Sequence, residues 1–348
     1  MPDRGRLPVI AVLATGGTIA GAQTPQQGVG YVAGAYDIAT LLAAVPALAG
    51  IADLRAEQIA NVGSQDMNHA VWHALAVRIA ALGADPEVDG IVVTHGTDTL
   101  EETAYFLDLV IPPGKPLVLT GAMRPATALG ADGPANLYAA VTLAGHEQAR
   151  GRGALVVMNE DIHEARGVQK VAAAGLAAFA SPDRGPAGVM QAGRPWFHRD
   201  LAASPQEMTS LRDTTPPQEH APWRAADLPA PALWPRVGIV YAHADMQADL
   251  IDFMAERYQG LVLAGVGDGN ANAPALQALA KAAARGVAVV RASRTRRGRV
   301  ARNVEVNDDA SGFIAAGDLN PEKARVLLTL ALMSGMDRAA LCRCFETA

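Results

Sequence analysis

The sequence predicts an α/β protein with two domains, each a mainly parallel sheet flanked by helices, the N-terminal domain being the larger. Over the first two hundred residues, short apolar runs alternate with amphipathic stretches, as in strands joined by crossover helices. The alternation stops near Ala202, where Pro, Ser, Thr and charged residues dominate, and it resumes after Pro235. We therefore predict an N-terminal domain at 1–201, an interdomain linker at 202–235 and a smaller C-terminal domain at 236–348.

The individual elements follow from the length and spacing of the apolar runs. Runs of strand length lie at 8–14, 90–96, 116–122, 154–159, 237–242, 260–267 and 287–293. Helical spacing is found at 37–45, 68–82, 98–110, 133–148, 246–258 and 273–285, and two further helices begin at Pro321 and Asp337. Pro46 should end the first helix, and Asp66 or Asn68 can cap the second.

Composition argues against several classes of protein. The net charge of −6 opposes a general nucleic-acid role, which usually needs a basic surface. Polar or turn residues interrupt every apolar run before it reaches membrane length, including the opening run. We expect a cytoplasmic protein, or a periplasmic one whose export signal has been removed. Cys342 and Cys344 make neither a zinc site nor a disulfide framework, and we predict no metal and no organic cofactor.

Polar residues gather where the strands predicted in the N-terminal domain end. The four strand ends carry hydroxyls, carboxylates and tight glycine turns, at 15–18, 94–99, 120–123 and 159–161. In an open parallel sheet, ligands bind outside the carboxyl ends of the strands. The sequence therefore predicts one site at this edge of the sheet.

Three interpretations of the TGGT turn at 15–18 compete. A dinucleotide site would explain glycines after a strand, but the spacing is not GxGxxG and no acidic residue ends a second strand. A structural interpretation assigns the glycines to tight turns and the threonines to local caps. A threonine nucleophile is the third, and it requires a neighbouring base to take its proton. A neutral lysine or Tyr31 could be that base, and a lysine beside a carboxylate and a hydroxyl could relay the proton.

Several further motifs weaken the structural interpretation, because together they carry a resemblance that covers nearly the whole chain. They are TGGTIAG, GSQDMN (63–68), HGTDTLEETAYFL (95–107), TGAMRP, ARGVQK (165–170), GVGDGN and LNPEKARVLL. In this order they resemble the bacterial L-asparaginases and glutaminase-asparaginases, and the pairing of TGGTIAG with HGTDT is specific. The resemblance implies hydrolysis of the asparagine side-chain amide through a threonine acyl-enzyme.

The resemblance also implies roles for individual residues. Thr18 corresponds to the family's usual nucleophile, while Thr97, Asp98 and Lys170 correspond to its Thr–Asp–Lys triad. Which of the two threonines is acylated stays open at this point. Backbone N–H groups near Thr18 and Thr97 are the expected oxyanion donors.

Two segments depart from common versions of the family. Tyr31 corresponds to the lid tyrosine that orients the nucleophile when a loop closes over substrate. The segment around it differs from the usual sequence, and Tyr36 is a second candidate for this role. Asp268 stands in GDGN where GNGN is frequent. Such differences could shift the preference between asparagine and glutamine.

Substrate contacts are implied in the same way. Ser64 and Gln65 correspond to binders of the α-carboxylate and α-amino groups, Asp98 would also meet the ammonium, and Ala122 of TGAMRP completes this set. A neighbouring subunit contributes further contacts in this family.

Those further contacts correspond to Asn270 and Glu305. The resemblance therefore implies a homotetramer, a dimer of intimate dimers, with active sites shared between subunits. No nucleic-acid or membrane partner is expected.

We predict an L-asparagine amidohydrolase. A glutaminase-asparaginase of broad amide specificity is the nearest alternative. The asparaginase-like subunit of a tRNA-dependent amidotransferase would need an N-terminal extension, whereas this sequence starts almost at its first strand. A catalytically silent amino-acid-binding protein would lack Thr18 or Lys170, and both are present.

The remaining polar and aromatic groups are assigned structural roles. His69 and His73 have zinc-like spacing but no third ligand, and His95 is expected to be a turn or core residue. The arginines between 291 and 302 are predicted to form a solvated loop or a subunit contact, and the pair Asp308–Asp309 to be solvated. The four tryptophans are predicted to pack.

Overall fold

The structure is a computed structural model that describes residues 6–23, 31–199 and 223–347. Among these, 6–23, 31–199 and 223–228 belong to one compact unit, and 229–347 belong to a second. Most of the linker predicted at 202–235 lies outside the described residues.

The larger unit is built on a mainly parallel sheet. Its strands are β1 (Val9–Gly16), β2 (Ala22–Gln23), β3 (Tyr31–Val32), β4 (Asp53–Val62), β5 (Gly90–Thr94), β6 (Leu117–Thr120), β7 (Ala154–Met158), β8 (Asp161–Glu164), β9 (Gln169–Lys170), β10 (Phe179–Ala180), β11 (Gly188–Gln191) and β12 (Arg194–Phe197). Within the described residues, eight of them form one sheet in the order β12-β11-β8-β7-β6-β5-β1-β4. The pairs from β4 to β7 are parallel, and β8, β11 and β12 extend the sheet with antiparallel pairs.

The α-helices described in this unit overlap the predicted helical segments. They are α1 (Ile38–Ala43), α2 (His69–Ala84), α3 (Leu100–Val110) and α4 (Gly133–Ala144). The predicted cap of α2 is confirmed, because the Asn68 side chain accepts hydrogen bonds from the N–H groups of Ala70 and Val71. The first helix is shorter than predicted, since Pro46 opens a separate 3₁₀ turn.

The strands at the centre of the sheet are buried on both faces. All eight residues of β1 and all five of β5 are buried, which explains why both appear in the sequence as unbroken apolar runs. The edge strand β4, in contrast, contains exposed and partly buried residues without strict alternation. Its mixture of charged and apolar residues gives no strand signal, so no strand was predicted there.

The smaller unit repeats the arrangement with fewer strands. Its elements are β13 (Val237–Tyr241), α5 (Asp249–Ala255), β14 (Gly260–Gly265), α6 (Ala273–Ala284), β15 (Ala288–Ser293), α7 (Asp308–Ser311), β16 (Phe313–Ala315), α8 (Pro321–Met333) and α9 (Arg338–Thr347). The four strands are parallel in the order β13-β14-β15-β16. The predicted fold class is thus confirmed. No helix in the described part of the chain is long and apolar enough to cross a bilayer.

Three structural assignments were wrong. Arg291 is fully buried in β15 rather than solvated, and Asp308 is fully buried beside it. The two side chains neutralise each other, which is the condition under which such charges tolerate burial. Trp196 lies on the outermost strand β12 and is 59% exposed, whereas the other three tryptophans are buried as predicted.

Candidate active site

Two glycine turns at the carboxyl ends of neighbouring strands lie in direct contact. Thr18 follows Gly17 in the turn after β1, and Thr97 follows Gly96 in the turn after β5. A Cβ atom added to Gly17 would lie 2.3 Å from the Gly96 Cα, and Gly17 also has a φ of 81°. Only glycine permits this approach. It brings two buried threonines to the same edge of the sheet.

A third turn, after the edge strand β4, closes on the same place. The Ser64 hydroxyl oxygen accepts a hydrogen bond from the Asp98 N–H at 3.0 Å, and the Ser64 carbonyl accepts one from the Thr99 hydroxyl at 2.8 Å. Ser64 is buried, and a Cβ on Gly96 would lie 2.8 Å from its Oγ. The Ser64 hydroxyl can still donate its own proton to an anion.

Lys170 joins the pair formed by Thr97 and Asp98. Its Nζ donates to Thr97 Oγ1 at 2.8 Å and to Asp98 Oδ1 at 2.6 Å. The Lys170 side chain is 16% exposed, whereas that of Asp98 is 60% exposed. The structure therefore brings the three predicted triad residues together, with most of the lysine side chain covered and the Asp98 side chain largely exposed.

A short ribbon presents Lys170 to this pair. Lys170 lies in β9 and pairs with Phe179 of β10. Its backbone N–H donates to the carboxylate of Glu101, a buried residue in the first turn of α3. Behind the ribbon, His163 Nδ1 lies 3.0 Å from Ser181 Oγ, and both residues are buried. The lysine is thus fixed at its backbone as well as at its amine.

His95 lies inside the core beneath the two threonines. Its Nδ1 is 2.6 Å from the Gly96 carbonyl, which requires a proton on Nδ1, and its Nε2 is 2.9 Å from Thr103 Oγ1. The Trp72 indole N–H donates to the same Thr103 oxygen at 2.8 Å. Burial lowers the pKa of His95 to about 4, against the opposing effect of its hydrogen bond to Gly96. The expectation of a core residue is confirmed.

The turn after β6 is held from two sides. Asp132 accepts hydrogen bonds from the two N–H groups that follow Ala122, each at 2.9 Å. Asn136 donates to the Gly121 carbonyl at 3.0 Å and accepts from the Asn159 N–H at 3.1 Å. Ala122 is fully buried and has an apolar side chain, so only its backbone can offer a polar contact.

Three further residues were predicted to lie near Thr18, namely Gln65, Tyr31 and Tyr36. Gln65 is exposed, and its amide donates to the Asp66 carboxylate at 3.1 Å. Tyr31 lies in β3 and pairs with Gln23 of β2. The Tyr36 N–H donates to the Ala20 carbonyl at 2.9 Å, which places Tyr36 beside the turn that carries Thr18.

Asn270 and Glu305 form a pair of their own in the smaller unit. The Asn270 amide donates to Glu305 Oε2 at 3.0 Å. Asn270 lies in the turn after β14, where its backbone exchanges two 2.8 Å hydrogen bonds with Val266. Glu305 lies in the irregular segment between β15 and α7 and is exposed. The predicted residues therefore fall into two groups, one in each unit.

Sequence reasoning missed the residues that hold these groups in place. Glu101, Asp132 and Asn136 support the site in the larger unit, and Arg291 supports the turn in the smaller one. Some signals were present. Asp132 and Asn136 flank a Gly-Pro helix start, and Arg291 is a single charge within an apolar strand run. No group of three or more His, Cys, Asp and Glu residues among those described could hold a metal ion.

Comparison with known families agrees with the motif-based resemblance. The family described as "Asparaginase, N-terminal" matches residues 9–203, and the "Glutaminase/Asparaginase C-terminal domain" matches 236–345. Together these matches cover most of the chain, and the resemblance inferred from the motifs is confirmed.

Individual relatives are similar over nearly their whole length. A "Probable L-asparaginase periplasmic" of Haemophilus influenzae is 44% identical over 98% of this chain and 93% of its own. A "Glutaminase-asparaginase" of Pseudomonas fluorescens biotype A is 38% identical, with 98% and 90% covered. The crystal structure of a "Probable Cytoplasmic L-asparaginase" from Campylobacter jejuni superposes with a TM-score of 0.86 at 39% identity, covering 98% of this chain and 100% of that one.

Proposed function

The chain belongs to the asparaginase family of hydrolases, and from that premise we propose that it hydrolyses the side-chain amide of L-asparagine, giving L-aspartate and ammonia. One observation carries the proposal. Lys170 Nζ bonds both Thr97 Oγ1 and Asp98 Oδ1. Thr97 and Asp98 lie in the turn after β5, and this turn contacts the turn that carries Thr18. A hydroxyl linked to an amine and a carboxylate can move protons for a second, adjacent hydroxyl.

Acylation is the first half of the proposed reaction. The Thr18 oxygen attacks the side-chain carbonyl carbon of asparagine and forms a C–O bond. The hydroxyl proton passes through the Thr97–Lys170 relay to the amide nitrogen. The C–N bond then breaks, and ammonia leaves an ester on Thr18.

Deacylation restores the enzyme. Water, activated by the same relay, attacks the ester carbon, and the C–O bond to Thr18 breaks. The products are the new carboxyl group of aspartate and a Thr18 hydroxyl that has regained its proton. Asp98 balances positive charge on Lys170 through both steps.

Thr18 is the better candidate for the acylated residue. The oxygen of Thr97 already accepts the Lys170 amine at 2.8 Å, a contact suited to proton transfer. Acylation of Thr97 would break that contact in the middle of the cycle, whereas acylation of Thr18 leaves the relay intact for the attack of water. Tyr31, and Tyr36 as second candidate, are proposed to orient Thr18 after substrate binds.

The Thr97 N–H is the proposed oxyanion donor. Neighbouring N–H groups are already engaged, since Asp98 donates to Ser64 Oγ and Gly17 donates to the Val62 carbonyl. A backbone donor fixed by the sheet needs no reorganisation when charge develops on the substrate oxygen.

Separate groups are proposed to bind the α-carboxylate and the α-ammonium of the substrate. The Ser64 hydroxyl and the Gln65 amide would bind the α-carboxylate and α-amino end of the substrate. The exposed Asp98 carboxylate would accept hydrogen bonds from the α-ammonium. Ala122 contributes its backbone.

Asn270 and Glu305 are proposed to complete this pocket from a neighbouring subunit of a homotetramer. Large apolar side chains exposed on the smaller unit support a subunit contact there. They are Tyr241, Leu250, Phe253 and Val304. Light scattering after size exclusion tests the tetramer. A cytoplasmic location stays a prediction, and the names of the relatives include both compartments.

A broader activity on both amides is the second candidate. It is favoured by the glutaminase-asparaginase relative and by the description of the C-terminal family. The ratio of ammonia released from asparagine and from glutamine separates the two candidates.

Ammonia release by the wild-type protein, Thr18→Ala and Thr142→Ala tests the proposal. Among the described residues, the Thr142 hydroxyl bonds only the Tyr138 carbonyl within α4, so its loss serves as a matched control. We expect activity in the wild type and the control, and a loss of about a thousandfold or more in Thr18→Ala. A folded wild-type tetramer that releases ammonia from neither amide would overturn the proposed enzyme.

A further inference from the structure

All five N–H groups of the buried Arg291 guanidinium have acceptors. Nε and Nη2 donate to the two carboxylate oxygens of Asp308 at 2.6 and 2.8 Å. Nη1 donates to the carbonyls of Asp268 and Gly269 at 2.7 and 3.2 Å, and Nη2 donates to the Ala301 carbonyl at 3.2 Å. Both charged side chains are 0% exposed, so no donor faces water.

These contacts join two segments that lack regular structure. One is the turn at 266–270, which ends in Asn270, and the other is the segment at 301–305, which ends in Glu305. Asp268 ties them directly, because its Oδ1 accepts the Ala301 N–H at 3.0 Å. The guanidinium thus bonds the backbone of both segments, the one that ends in Asn270 and the one that ends in Glu305.

A buried ion pair is a poor way to gain stability alone. Desolvation of two charges offsets much of their attraction, and apolar residues of similar size often serve as well. What apolar side chains cannot do is bond three backbone carbonyls at fixed directions. The rigid, planar fork of arginine does this.

We propose that Arg291, with Asp308 and Asp268, is a positioning residue for substrate binding. It fixes the separation of the Asn270 amide and the Glu305 carboxylate, so that both can meet the polar end of one amino-acid substrate. This inference rests on the proposed function, in which the pair completes a neighbouring subunit's pocket. The pair would bind a part of the substrate remote from the reacting amide, so its loss should raise KM and leave kcat unchanged.

The double variant Arg291→Met/Asp308→Leu removes both charges without leaving either one buried alone. We expect KM for asparagine to rise about tenfold or more, with kcat within about threefold of the wild type. Arg291→Lys keeps the charge but offers three donors instead of five, and we expect a smaller rise in KM. Asp268→Ala removes the acceptor of the Ala301 N–H, and we expect it to raise KM as well.

Leu279→Ala supplies the matched control. Leu279 lies in α6 and is fully buried in the core of the same unit, and its loss weakens packing without removing a bond to either segment. Steady-state kinetics are to be paired with hydrogen exchange of the backbone. We expect faster exchange at 266–270 and 301–305 in the double variant, and KM unchanged in the control.

The outcomes are distinguishable. An active wild type whose double variant keeps its KM, or keeps wild-type exchange at both segments, overturns the positioning role alone. A KM that rises equally in Leu279→Ala would show a general loss of stability and would also overturn it. A folded wild-type tetramer without amidase activity overturns the proposed function, and this inference with it.

Discussion

The Lys170–Asp98 ion pair of the larger unit and the Arg291–Asp308 ion pair of the smaller unit have the same nitrogen–oxygen distance, yet their surroundings differ. Lys170 and Asp98 are 2.6 Å apart, and their side chains are 16% and 60% exposed. Arg291 and Asp308 are also 2.6 Å apart, and both are 0% exposed. Lys170 also donates to a threonine hydroxyl, whereas Arg291 donates only to backbone carbonyls besides the Asp308 carboxylate.

The difference shows how one kind of contact serves two ends. An arginine stays protonated in proteins, so a guanidinium with all its donors engaged can hold backbone in place but cannot move protons. A lysine amine is able to give up a proton, and the exposed Asp98 beside Lys170 can meet a cationic substrate group. The pair in the larger unit is therefore suited to chemistry, and the pair in the smaller unit to geometry.

Removing the amine from the first pair should have the largest effect. Lys170→Met breaks the relay, and we expect ammonia release to fall by about a thousandfold or more. The melting temperature should change little, because the Asp98 left behind is solvated. A variant that stays active, measured by single-turnover ammonia release, would contradict the catalytic half of the comparison.

Removing the guanidinium alone from the second pair should mainly unfold the protein. Arg291→Met leaves Asp308 buried without its partner, which typically costs about 3–5 kcal/mol. Chemical denaturation followed by circular dichroism measures this cost. If Lys170→Met destabilises the protein as much as Arg291→Met does, the structural contrast between the pairs fails.

The core beneath the two threonines should make stability depend on pH. The pKa of His95 is lowered to about 4, so the unfolded chain binds a proton near pH 6.5 and the folded protein only near pH 4. The contribution of His95 to the free energy of unfolding is therefore fully present above pH 6.5. This free energy falls by about 3 kcal/mol in total as the pH falls toward 4.

Urea titrations at a series of pH values check this expectation. The free energy of unfolding should depend less steeply on pH between 6.5 and 4 in His95→Gln than in the wild type. Equal slopes in the two proteins would mean that His95 binds its proton as readily in the folded protein as in the unfolded chain.

Glu101 should matter less, because it acts on the backbone of Lys170. Glu101→Gln retains an oxygen for the Lys170 N–H but loses the charge, and we expect kcat/KM to fall by about tenfold. The shape of the pH–rate profile should stay the same, since Glu101 takes no proton in the reaction. A profile that changes shape would assign Glu101 to the relay itself.

A surface pair sets the lower end of the range. Arg78 contacts Glu57 through two hydrogen bonds, and the two side chains are 41% and 34% exposed. Arg78→Met should change the free energy of unfolding by about 1 kcal/mol or less and leave activity intact. A larger loss would mean that exposure is a poor guide to the weight of these pairs.

The sequence could predict what depends on local pattern. Buried parallel strands such as β1 and β5 appear as apolar runs, and Asn68 caps α2 as its position suggested. The edge strand β4 was missed because half-exposed strands carry mixed residues. Arg291 was misplaced because it was grouped with the arginines that follow at 294–302, whereas its partner Asp308 lies seventeen residues later in the chain.

The site itself was only partly within reach. The turns of Thr18 and Thr97 could be brought together because neighbouring parallel strands end at one edge. Lys170 lies 72 residues after Asp98, and no local pattern joins them. Its place came from the resemblance to the family. Glu101, Asp132 and Asn136 act through bonds to backbone groups between eight and 69 residues away, which leave little trace in composition or spacing.

Trapping the acyl-enzyme tests the central claim most directly. Protein mixed with asparagine and quenched in acid within milliseconds can be cut with trypsin and weighed by mass spectrometry. Thr18 falls in the fragment 7–55, and Thr97 falls in the fragment 79–150. We predict an aspartyl ester on fragment 7–55 that is absent from Thr18→Ala. An ester on fragment 79–150, or ammonia release with no ester on either fragment, would contradict the assignment of Thr18 as nucleophile.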